Sequence, residues 1–113
     1  MGLRSRNKGK RGEREAAAEI RRILRTEARR GRQFSGSDES PDIVADIDNV
    51  HFEVKRAEKL RLYAALDQAI DDCGDRIPIV LHRANDRPWV AIVRLDDLPQ
   101  LAATIYLTLL KTS

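Results

Sequence analysis

The 113-residue sequence predicts one α/β domain with a mixed central sheet and flanking helices, in the order helix, strands, helix, strands, helix. Three observations carry this. A helical stripe near the amino terminus precedes two β-rich runs around Asp48-Asn49; a second helical stripe follows; two more β-rich runs lead into a last apolar helix. No internal repeat or inter-domain linker is visible, and the length suits a single core. Residues 1–10 read as a basic arm and 11–113 as the folded domain.

In the arm, Arg4, Arg6, Lys8, Lys10 and Arg11 have no apolar periodicity. They suit phosphate contacts and are expected to be disordered in the free chain. Residues 8–30 are strong helix formers after Gly12, so a helix is expected to end near Gly31. At about 100° per residue, Ala16, Ala17, Ile20 and Leu24 make one stripe, with Ile23 at its edge. Glu13 falls inside that stripe, whereas Glu15, about 200° away, is expected to face solvent. A carboxylate in the first turn facing the core suits either the helix dipole or a site.

The next element is a hairpin. Residues 42–47 and 50–56 are β-rich, and Asp48-Asn49 is a two-residue turn pair that tolerates positive φ. Pairing Ile47 with Val50 sets Asp46 opposite His51, Val44 opposite Glu53 and Asp42 opposite Lys55. Asp42, Glu53 and Lys55 then share a face, and Ile43, Ala45, Phe52 and Val54 supply the apolar one. Cross-strand Cβ separations of about 5–8 Å let two carboxylates meet on one ion with oxygen distances of about 2.1 Å. The same residues also suit a solvated edge hairpin, in which an Asp42–Lys55 pair contributes about 0.2–1 kcal/mol.

Residues 60–73 form a second amphipathic helix ending at Gly74, with Leu62, Leu66, Ala69, Ile70 and Cys73 expected inward and Gln68 its notable polar residue. Residues 77–82 and 88–95 read as strands joined by the polar 83–87 turn. Asp96-Asp97 opens a last helix with Leu98, Leu101, Ala102, Ile105, Leu109 and Leu110 on its apolar side. Tyr106 and Leu107 widen that side beyond what one-sided packing needs, which suggests a partner surface.

Charge is asymmetric. Residues 1–33 carry 12 Lys/Arg and 4 Asp/Glu, a net of +8, while residues 34–113 carry a net of −5. A basic amino-terminal end, extended by Arg14, Arg21, Arg22, Arg25 and Arg29, favours a nucleic-acid partner, although basic tails also serve solubility. One cysteine excludes an intramolecular disulfide, and Cys73 sits on an apolar face. His51 and His82 lack companion ligands in sequence, which argues against a zinc site. No apolar run is long enough to span a bilayer and no signal-peptide core is visible, so a cytoplasmic, membrane-free protein is expected.

Four motifs in order, Lys8-Gly9 through Glu13-Arg14-Glu15, Ser35-Gly36-Ser37, Pro41-Asp42-Ile43-Val44 and Glu53-Val54-Lys55, resemble the PD-(D/E)XK nuclease superfamily. The likeness covers roughly residues 8–95 and is nearest to small archaeal-type Holliday-junction resolvases and their phage-encoded relatives. It implies a restriction-endonuclease-like fold of αβββαββα order and a Mg²⁺-dependent DNA endonuclease, with Mn²⁺ substituting. Asp42, Glu53 and the Val54 carbonyl would be metal ligands, Lys55 the residue that orients or activates the attacking water, and Glu13 a supporting acid near the metal or a second ion. DNA contacts would come from Arg4, Arg6, Lys8, Lys10, Arg11, Arg14, Ser35, Ser37 and Arg56. Gln68 stands where family members often present a polar group, though an exposed helix glutamine is the simpler reading. Branched DNA and a homodimer are the implied substrate and assembly. The alternatives are a nickase or restriction-type cutter, or a non-catalytic DNA-binding accessory of the same fold.

Overall fold

A computed structural model describes residues 2–31 and 42–111, with side chains from residue 9 onward. Helix α1 (Gly2–Leu24), strands β1 (Ala28–Arg30), β2 (Ile43–Ala45) and β3 (Val50–Arg56), helix α2 (Leu62–Cys73), strands β4 (Ile77–Arg83) and β5 (Val90–Ile92), and helix α3 (Leu98–Lys111) follow in order. The five strands form one mixed sheet in sequence order. Only β3 and β4 run parallel; the other neighbours are antiparallel. A parallel pair needs a long crossover, here supplied by α2.

The sheet separates two apolar layers. On one face Ala16, Ala17 and Ile20 of α1 and Leu101 of α3 pack against Ile43, Phe52, Ile79 and Leu81. Opposite them, Ala65, Leu66 and Ala69 of α2 cover Val80. The core stripe expected on the first helix and the apolar face expected on the hairpin therefore stand. Gly74 closes α2 at φ 58°, a region favouring glycine. Leu62, expected inward, is 39% exposed because the helix starts there and Ala65 takes the inner position.

Three expectations need correction. The first helix starts at Gly2 and stops at Leu24, well before Gly31. Arg25 takes φ 53° and Ala28–Arg30 becomes an edge strand paired with β2, so tertiary pairing overrides the helix preference of Glu27-Ala28-Arg29-Arg30. The hairpin register is the second. Ile43 pairs with Phe52, two residues away from the tight-turn alignment. The Asp46 N–H donates to the Glu27 carbonyl, Ile47 is buried, and the Asn49 carbonyl accepts from Ile77, so neighbouring strands claim the residues that a closed hairpin would use. An even shift keeps every side chain on its face. Finally, α3 is less buried than its sequence suggests: Leu101 and Thr108 are its buried residues, while Leu98, Tyr106, Leu107 and Leu110 are 45–63% exposed.

Gly12 sets how closely α1 approaches the sheet. A Cβ there would lie 2.7 Å from the Cβ of Arg56 and 3.9 Å from a Val54 methyl, whereas one at Gly9 meets nothing within 4 Å. Alanine is favoured over glycine in a helix by about 1 kcal/mol, so Gly9→Ala should stabilise the fold by up to that amount. Gly12→Ala should instead destabilise it by about 1–2 kcal/mol, overpacking outweighing propensity. Chemical denaturation of the two variants checks the opposite signs.

Candidate functional site

β3 alternates its side chains between the two layers. Val50, Phe52 and Val54 turn to the α1 side, leaving His51, Glu53 and Lys55 on the face covered by α2. The Ile43–Phe52 register brings Asp42, immediately before β2, beside Glu53 rather than Lys55. The Val54 N–H donates to Asp42 Oδ2 at 2.7 Å, and the Asp42 N–H donates to the Phe52 carbonyl at 3.1 Å. Asp42 is thus tied to β3 through both its backbone and its side chain.

The two carboxyl groups are strongly unlike. Burial, aided by repulsion from Glu53 and Glu13 and by a hydrogen bond to Glu53, pushes Asp42 up to about 7, against the lowering bond from Val54. Glu53 is just 4% exposed, and burial pushes it upward too. The His51 ring, the Asp42 carboxyl and the Lys55 charge together outweigh that and hold Glu53 below the ordinary carboxylate range. The pair therefore shares one proton near neutrality, the behaviour of two acids too close to ionise together.

Around this pair, Lys55 Nζ donates to Gln68 Oε1 of α2 at 2.8 Å, so Gln68 is a partner of the candidate lysine. Glu13 reaches the same end of the sheet and raises Asp42, but its carboxylate is engaged by Arg30 at 2.7 Å. Glu15, expected to face solvent, accepts from Arg83 at 2.7 Å, because β4 ends beneath that turn of α1. Arg56 is tied inward to the Arg83 carbonyl and to Asn85 Oδ1. Lys10, Arg11 and Arg14 are exposed. Ser35, Ser37 and Pro41 lie outside the described residues, as do the side chains of Arg4, Arg6 and Lys8. The Val54 N–H is spent on Asp42, whereas its carbonyl belongs to the β3 backbone.

The sequence reading missed His51. Its Nε2 lies 3.0 Å from Glu53 Oε1, and one ligating atom each from His51, Glu53 and Asp72 fall within 4.8 Å of one another. The two-residue spacing of His51 and Glu53 was the available signal, since it puts both on one face of a strand. Asp72 comes from α2, and no local pattern reports that approach.

Raising Asp42 means that the native state holds its proton more tightly than the unfolded chain does. Its contribution to stability is complete below the ordinary value of 3.8 and is lost as pH rises through about 7. Glu53, shifted down, contributes in the opposite sense and loses its share below its ordinary 4.5. Asp42→Asn keeps an acceptor for Val54 and a donor for Glu53 without ever ionising. In chelator, the melting temperature of the parent should fall progressively below that of this variant between pH 5 and 8. Parallel curves by circular dichroism would exclude a shared proton.

Comparison with protein-family models, with curated proteins and with solved structures finds no match.

Proposed function

We propose that the chain is a divalent-metal-dependent endonuclease of the PD-(D/E)XK kind, hydrolysing phosphodiester bonds in DNA. One observation carries this reading. The Ile43–Phe52 register and the bond from Val54 N–H to Asp42 Oδ2 set the Asp42 carboxyl beside Glu53 on the sheet face that also carries Lys55. Two adjacent carboxylates in a partly buried setting offer hard oxygen donors and a repulsion that a divalent cation relieves. Mg²⁺ requires one or two such carboxylates and retains water, so the donor set fits it; Mn²⁺ has the same preference for oxygen. When bound, such a cation polarises the scissile phosphate and acidifies water.

The side chains have separable tasks. Asp42, Glu53 and the Val54 carbonyl would hold the cation, the proton on Asp42 passing to solvent. Lys55, steadied by Gln68, stabilises charge developing on the phosphoryl oxygens and orients the attacking water. Glu13 adds negative charge at the mouth, moderated by Arg30. Lys10, Arg11 and Arg14, exposed on the helix that Gly12 seats against Val54 and Arg56, would supply phosphate contacts. Branched DNA is the proposed substrate class. A two-fold homodimer would supply a pair of sites, with the exposed apolar residues of α3 as its surface.

Among the described residues no helix is long and apolar enough to cross a membrane. The test is cleavage of matched four-way, flap, duplex and single-stranded DNA in Mg²⁺, Mn²⁺ and chelator. Metal-dependent cutting, greatest on the four-way substrate, is expected. Asp42→Asn, Glu53→Gln and Lys55→Ala should each lower the rate by at least about 100-fold, with DNA binding retained. Binding without cleavage under every metal condition would leave a non-catalytic DNA-binding module instead.

A further inference from the structure

The nuclease reading employs Asp42, Glu53 and Lys55 and leaves His51, a fully buried polar side chain of the same sheet face, without a task. His51 is wholly enclosed, at 0% exposure, two residues before Glu53 on the central strand. Its Nε2 lies 3.0 Å from Glu53 Oε1, in a contact sealed from solvent. An ionised carboxylate can only accept, so Nε2 carries the hydrogen and donates it. Among the described residues, the other ring nitrogen, Nδ1, finds no hydrogen-bond partner. A buried polar atom left unpaired is unfavourable, and a leucine in that space would avoid the cost. What the histidine adds to this strand is therefore its bond to Glu53.

Glu53 is held from two directions. His51 takes Oε1 from within the layer under α2, and Asp42 meets the carboxyl from the neighbouring strand. An unsupported glutamate has three rotatable side-chain bonds, and a ligand that must be ordered on binding loses affinity for its cation. Carboxylates that bind metal are themselves commonly hydrogen-bonded, and loss of such a bond costs about 10–100-fold in affinity.

We propose that His51 is a positioning residue of the site. It clamps one oxygen of Glu53, so that the carboxylate is already oriented for the cation that Glu53 shares with Asp42. This rests on the reading of Asp42 and Glu53 as a metal pair. Asp72 lies within the same 4.8 Å cluster and forms part of the polar surroundings of the ring.

Titration calorimetry with Mn²⁺ in the absence of DNA tests it on the full chain at one fixed pH. His51→Gln is the conservative variant, since its amide nitrogen reaches the place of Nε2 and still donates. His51→Leu fills the space and cannot. The leucine variant should retain a cooperative thermal transition and bind Mn²⁺ about 10–100-fold more weakly, while the glutamine variant stays close to wild type. Should the leucine variant fail to fold, His51→Asn, polar but too short to reach Glu53, replaces it with the same expected loss. Wild-type affinity in the folded leucine or asparagine variant would overturn the proposal. A glutamine variant as weak as leucine would do so as well, because the imidazole itself would then be the ligand. If the wild-type chain binds no Mn²⁺, or Asp42→Asn binds it unchanged, the metal pair itself falls and His51 with it.

Discussion

Burial of β3 on both faces is the constraint on which the rest of the structure depends. A strand inside a mixed sheet has no solvent side, so its two-residue period divides core from chemistry rather than core from water. Val50, Phe52 and Val54 join the layer under α1, and His51, Glu53 and Lys55 enter the layer under α2. The enclosure that makes Glu53 and Asp42 hard to ionise together is thus the same enclosure that stabilises the sheet. The polar groups are tolerable there because they pair with one another: His51 with Glu53, Val54 N–H with Asp42, Lys55 with Gln68.

The parallel β3–β4 pairing has a second consequence. Its crossover must pass over the sheet, and α2 is that crossover. Gln68 meets Lys55 and Asp72 approaches His51 because the connection crosses the chemical face. On the other face, Gly12 lets α1 settle against Val54 and Arg56. This brings Glu13 within electrostatic reach of Asp42 and sets Glu15 on Arg83. Each of these pairings joins a helix to the sheet, so a small displacement of either helix would act directly on the carboxylate pair.

The arrangement holds unfavourable charge at one end of the fold. Glu13, Asp42 and Glu53 converge, and Asp42 answers by retaining a proton. Arg30 offsets part of this at Glu13, and Lys55 offsets part at Glu53. Lys10, Arg11 and Arg14 of α1 are exposed.

The sequence by itself determined the order of elements other than β1, the apolar stripe of α1, the hairpin's division into two faces and the common face of Asp42, Glu53 and Lys55. These depend on local periodicity, which a chain carries with it wherever it folds. The even register shift illustrates the point: Asp42 moved from opposite Lys55 to beside Glu53 without leaving its face. Tertiary structure alone decided where α1 ends, because residues 28–30 favour a helix and become a strand only when β2 lies alongside. It alone placed Arg30 on Glu13, Arg83 on Glu15 and Gln68 on Lys55, and it turned His51 from a strand histidine into the partner of Glu53. Those contacts join residues whose proximity depends on packing between elements, and distance in space is not encoded by any local period.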